Sequence, residues 1–153
     1  MLIAIFALAG CPGVVADRDG TDFSVIGHYN LLNFEKQLEK HTFTQADQLS
    51  TFLVETDYEN SIVYTPIDPM PDFFESTILA FAGWPCEIQA VVEEPEKILV
   101  QYIEKYRDMP QETNLEYARP APEVTIYSIP FSSKPIHFTH QHGTSEHSAT
   151  QYH

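Results

Sequence analysis

The sequence predicts an α/β fold, a mainly parallel sheet with helices on both faces. Three observations carry that expectation. LIAIFALA, residues 2–9, is an unbroken apolar run that stops at Gly10, the pattern of a strand buried on both faces. Strand-like segments then alternate with segments of helical spacing, the order that builds parallel sheets. Finally, 153 residues with 43% hydrophobic and 12% aromatic content are enough for one domain with a core of its own. The expected division is an α/β domain over 1–135 and a polar, histidine-containing tail over 136–153.

The elements follow in order. After the first strand, Gly10-Cys11-Pro12-Gly13 makes a turn, VVA (14–16) a short β-branched strand, and DRDGTD a second turn. Leu31, Phe34 and Leu38 fall at helical spacing, which predicts a helix over 31–41. A second helix is expected over 44–55, with Thr44 as its N-cap. SIVYT (61–65) reads as a buried strand. Asp72 and Glu75 resemble a capping box, so DFFESTILAFAG (72–83) reads as a helix closed by Gly83. Phe73, Phe74, Phe81 and Trp84 are then core and helix packing. EIQAVVE (87–93) is a strand. Pro95 heads an expected helix over 95–107, with Ile98, Leu99, Tyr102, Ile103 and Tyr106 on one face. EVTIYSI (123–129) is a further strand, and PIHFTH (135–140) an edge strand because of its prolines. The remainder, to His153, is polar and tail-like.

The formal charge of −14 sets the class of partner. Such a chain is repelled by a phosphate backbone, so nucleic acid is a poor partner, and a basic protein surface is a good one. Cys11 and Cys86 form neither a disulfide framework nor a zinc spacing, which points to a reduced, cytoplasmic setting. The alternative is lipid anchoring: MLIAIFALAGC resembles a short lipoprotein signal with small residues before Cys11, although it has no positive n-region. The run is too short to span a bilayer.

Two stretches bear on chemistry. GCPG after a strand is how a phosphate-binding loop begins, but no Gly-Lys-Ser/Thr follows to hold phosphate and Mg²⁺. The segments SIVYT, PIDPMPDFF, AGW, EIQAVVEEPEKILV and DMPQE, with VVADRD upstream, together resemble P-loop kinases of the bacteriophage polynucleotide kinase type. The resemblance implies a P-loop-kinase-like sheet, a viral source, and a base at Asp19. It also implies a phosphate-loop remnant at Gly10, Cys11, Pro12 and Gly13, and a lid-like helix carrying Lys105 and Arg107. The loop lysine, the Mg²⁺ ligand and the lid arginines of that family are missing. Phosphoryl transfer depends on positioning and charge neutralisation, so their loss implies a degenerate, non-catalytic domain.

The second stretch is DRDGT. Asp17, Asp19, Gly20 and Thr21 resemble the nucleophile motif of haloacid dehalogenase phosphatases, in which one aspartate attacks and the next serves as acid and base. Thr65 and Lys97 or Lys105 stand where later motifs of that superfamily would fall. Paired acids to complete a Mg²⁺ site are missing. This gives the alternative to a binding protein: a Mg²⁺-dependent phosphatase, or a weak phosphotransferase, using Asp17 and Asp19. The cofactor is otherwise undetermined, with Mg²⁺ required only for that enzyme. His137, His140, His142 and His147 have no fixed ligand spacing, so no metal site is assigned. The leading expectation is a non-catalytic acidic protein that binds and regulates a protein partner.

Overall fold

Burial alternates with a period of two along Ile98–Glu104 and Ile136–His140. In ILVQYIE, Ile98, Val100 and Tyr102 are buried while their neighbours are partly exposed. That is the period of a half-buried strand, and strands dominate the fold. The computed structural model describes residues 20–32, 38–105 and 121–141. In chain order these form β1 (Ser24–Asn30), β2 (Glu39–Phe43), α1 (Ala46–Glu55), a 3-10 turn (Tyr58–Asn60) and β3 (Val63–Thr65). Then follow β4 (Ser76–Gly83), β5 (Cys86–Glu93), β6 (Ile98–Glu104), β7 (Glu123–Pro130) and β8 (Ile136–His140).

The strands divide between two sheets. One has five strands in the order β2-β4-β7-β1-β3, with every neighbouring pair antiparallel. The other has three, in the order β5-β6-β8, where β5 and β6 are antiparallel and β6 and β8 parallel. The two sheets pack face to face. Leu79 and Phe81 of β4 and Tyr127 and Ile129 of β7 share one core with Ile88 and Val91 of β5 and with Val100 and Tyr102 of β6. Phe81 sits at the centre of this core, its ring 5.2 Å from Tyr102, 5.9 Å from Tyr127 and 5.6 Å from Phe138.

The opposite face of the five-stranded sheet is covered as well. Ile78, Ala80 and Ala82 of β4, Val124 and Ile126 of β7 and Tyr29 of β1 pack against Leu49 and Phe52 of α1, with Tyr58, Ile67 and Phe73 added at the margin. Within this layer the Tyr29 hydroxyl hydrogen-bonds Thr56, whose own hydroxyl donates to the Phe52 carbonyl at 2.8 Å. Gly27 of β1 lies under Ile67, so close that a Cβ there would stand 2.7 Å from Ile67 Cγ1.

This architecture corrects the expected α/β, P-loop-kinase-like fold. The larger sheet is antiparallel, and α1 is the only α-helix among the described residues. Two expected helices are strands. STILAFAG is β4, paired with β2 on one side and β7 on the other. Its residues are apolar in succession because helix and sheet layers cover both of its faces, so alternation disappears. The capping-box pair upstream makes a single turn: the Asp72 carboxylate accepts the Phe74 N–H at 2.8 Å and the Asp72 carbonyl the Glu75 N–H at 3.2 Å. Gly83, with φ 129°, ends a strand, where the chain crosses to the second sheet. The expected 95–107 helix is β6 as far as Glu104. Of the expected 31–41 helix, residues 39–41 belong to β2 and 33–37 lie outside the described residues.

Other expectations agree with the fold. The helix over 44–55 is α1, although Gln45 is its N-cap and the Thr44 N–H donates to the Gln48 side chain at 3.0 Å. The strands expected near 87–93 and 123–129 are β5 and β7, and PIHFTH provides β8 at the edge of the smaller sheet. SIVYT also gives a strand, β3, but an exposed one at the edge of the larger sheet and not the buried one expected.

Candidate functional site

The three-stranded sheet does not cover the whole of the larger one. Where it ends, at β5, a groove of about 320 Å³ opens against β1 and β7. Phe23, Val25 and Tyr127 give it an apolar wall. His28, Glu123, Glu87 and Lys105 place polar groups around it. His28 Nε2 donates to the Glu123 carboxylate at 2.8 Å, and the His28 ring leans on Tyr64 of β3 with centroids 4.9 Å apart. Lys105 Nζ lies 3.6 Å from the Glu87 carboxylate, with both side chains about half exposed. This contact is worth little to stability, but it holds the lysine against β5.

The thiol and phenol beside the groove are protonated at neutral pH. Burial pushes the Cys86 thiol up to about 12, and the nearby Glu104 charge adds to the effect. Burial likewise raises the Tyr127 hydroxyl to about 12; it donates to the Cys86 carbonyl at 3.4 Å. A thiol held neutral is a poor nucleophile. His28 and Glu123 thus form an oriented pair beside a thiol that does not ionise. The arrangement suits recognition of a donor or a cation better than covalent catalysis.

The groove continues into the edge of the larger sheet. Among the described residues β3 is the last strand of the larger sheet, paired only with β1. Ile62, Val63 and Tyr64 are 62%, 37% and 59% exposed, and Val25 of β1, which lines the groove, is 47% exposed. These side chains form an apolar rim along β1 and β3. A second cavity, about 520 Å³ and rich in hydroxyls, lies among Thr42, Thr77, Ser132 and Ser133. Its lysine, Lys134, is committed to Glu93 at 2.6 Å and to the Glu94 carbonyl at 3.0 Å.

Of the residues singled out from sequence, Gly10, Cys11, Pro12, Gly13, Asp17, Asp19 and Arg107 lie outside the described residues. Lys105 stands directly after a strand, ion-paired with Glu87, where a lid-like helix was expected. Gly20, from the DRDGT stretch, bridges to Val92, and the Thr21 N–H donates to the Val91 carbonyl at 2.7 Å, so this end of the motif serves as strand pairing for β5. His137 and His140 are in β8, and His142 and His147 are outside the described residues. Among the described residues no cluster of histidine, cysteine, aspartate and glutamate is arranged to hold a metal, and no helix is long and apolar enough to cross a membrane. His28 and Glu123 escape sequence reasoning because they are 95 residues apart and meet only through the β1–β7 pairing. Comparison with protein-family models, with curated proteins and with solved structures finds no match.

Proposed function

We propose that this chain is a non-catalytic binding protein that docks an acidic surface onto a basic protein partner. The observation that carries the reading is the placement of charge. No lysine or arginine occurs between Lys40 and Lys97. In that interval Asp47, Glu55, Asp57, Glu59, Asp68, Asp72 and Glu75 fall on α1, the 3-10 turn and the loops around β3. Leu49, Phe52, Tyr58, Ile67 and Phe73 fix those same elements to one face of the larger sheet, so the acids share one outer layer. The four described lysines lie elsewhere, on β2, between β5 and β6, after β6, and between β7 and β8. A one-signed layer of this kind focuses potential outward and speeds encounter with a basic surface.

The test is a titration of the full chain against panels of basic and acidic peptides at low and high salt. Basic peptides bind at low salt, and their affinity falls as salt rises, because exposed charges are screened beyond about 10 Å at 0.1 M. Changing Asp47, Glu55, Glu59 and Asp68 together to the amides removes most of that binding. If no basic peptide binds at low salt, or if the amide variant binds as well as the parent, the proposal fails.

A further inference from the structure

We infer that β3 is a docking edge to which an extended, basic segment of a partner protein adds as a further strand of the larger sheet. The inference rests on the acidic-surface reading above and specifies its contact. At the start of β3 the Asn30 N–H donates to the Ile62 carbonyl at 3.0 Å, and the Ile62 N–H donates to the Asn30 side-chain oxygen. The following residue, Val63, stands opposite Tyr29. In an antiparallel pair, the position beside such a hydrogen-bonded pair directs its own N–H and C=O away from the neighbouring strand. Val63 therefore presents a donor and an acceptor outward from the edge of the sheet. Pairing of this kind gives affinity through the main chain and specificity through alternate side chains.

The edge is held ready for such a partner. Asn30 fixes the start of the strand, and Tyr64 is braced on His28, which Glu123 holds. Pro66 ends the pairing segment, since it offers no N–H. Natural edges are guarded by lysine, proline, a bulge or short length. β3 is three residues long, is bulged where it faces His28 and Tyr29 and is followed by Pro66, which confines the pairing segment to the residues around Val63. It carries no charge, however: Ser61 to Thr65 contain no charged residue, while Glu59 and Asp68 stand at either end. Apolar side chains between acidic ends call for an incoming strand with apolar residues at its centre and lysine or arginine beyond them. A second copy of this chain is the wrong occupant, because antiparallel pairing of two such edges would bring Glu59 and Asp68 of both copies together.

The probe is a synthetic peptide of about seven residues, valine at its centre and lysine toward both ends, matched to ordinary strand length. A second version is N-methylated at alternate backbone positions, which keeps the charge and removes the main-chain donors. Binding to the full chain is followed by fluorescence anisotropy, and exchange of the Val63 amide by NMR. The Val63→Pro variant deletes the outward N–H and spares the bonds to β1, as proline does at a sheet edge. The expected result is slowed exchange at Val63 on binding, with about tenfold or greater loss of affinity both for Val63→Pro and for the N-methylated peptide. Equal binding by the parent and N-methylated peptides overturns strand addition and leaves acidic docking intact, and this comparison does not depend on the folding of Val63→Pro. No binding by either peptide at low salt removes both readings. A Val63 amide already protected in the free chain, or a dimer whose formation Val63→Pro abolishes, means that the edge is filled by this chain itself and refutes the inference.

Discussion

Replacing Phe81 by alanine and, separately, Phe74 by alanine tests the fold at its most consequential point. The two residues are seven apart, so a helix over 72–83 puts them on one face and makes both substitutions costly. The observed fold separates them, with Phe74 in the turn before β4 and Phe81 within the strand: Phe81 is 2% exposed and Phe74 is 94% exposed. Phe81 fills the space between the sheets and touches Tyr102, Tyr127 and Phe138. Truncating a buried phenylalanine costs about 3–5 kcal/mol. Each aromatic pair lost adds to the burial term, so the upper part of that range, about 4–5 kcal/mol, applies. For a chain of this size that lowers the melting temperature by roughly 8–20 °C. Phe74→Ala changes stability by about 0.5 kcal/mol or less, as exposed positions do. Urea unfolding followed by circular dichroism measures both, with an unchanged m-value taken as the sign that only stability has moved. Equal losses from the two substitutions, or less than about 1 kcal/mol for Phe81→Ala, would falsify the two-sheet core.

Three other expectations follow from single contacts. Thr56→Val leaves the buried Tyr29 hydroxyl without its partner and costs about 1–3 kcal/mol, whereas adding Tyr29→Phe recovers part of the loss; a double-mutant cycle by chemical denaturation measures the coupling. Gly27→Ala drives a methyl into Ile67 and destabilises by about 1–3 kcal/mol, and Ile67→Ala in the same chain relieves most of it; the absence of relief would show that the clash with Ile67 is not the cause. Burial raises Tyr29 and Tyr127 from 10.0 to about 12 and Cys86 from 9.0 to about 12. The folded chain therefore keeps protons that the unfolded chain releases. This stability is complete below about pH 9 and declines between about pH 9 and 12, by about 1.4 kcal/mol per pH unit for each group within its own window. Denaturant titrations across that range check the sign, and peptide-resolved alkylation at pH 8 finds Cys86 unmodified until the chain unfolds.

How much of this was legible depended on whether one or two faces of an element are covered. EIQAVVE and EVTIYSI declare themselves as strands by β-branched content, and α1 declares itself by Leu49 and Phe52 at helical spacing. STILAFAG does not, because the layers on both sides of β4 demand apolar residues at every position and so remove the alternation. In ILVQYIE two periods coexist: Ile98, Leu99, Tyr102 and Ile103 suit a helix, and Ile98, Val100 and Tyr102 suit a strand. Length was the available arbiter, since the apolar run is short for a helix and β-branched at three of its seven positions. The groove was not legible at all. His28 and Glu123 are ordinary surface-type residues in their local context, and only antiparallel pairing of distant strands brings them within hydrogen-bonding distance.

The strand order also governs how the chain can be made. β7 pairs with both β4 and β1, so the larger sheet cannot close until Pro130 has been synthesised. At about 5–20 residues per second, β4 leaves the ribosome several seconds before its partner β7 exists. During that interval STILAFAG is a largely apolar, uncharged, proline-free segment that has β2 for one edge but nothing yet for the edge that β7 will take, the composition that invites aggregation. Asp72 and Glu75 immediately before it, and Glu87 soon after, place negative charge at its borders in every nascent chain. The acidity that dresses the folded surface thereby also shields the growing polypeptide, and holdase chaperones that grip apolar stretches are offered the segment 76–83 as well as the apolar run 2–9.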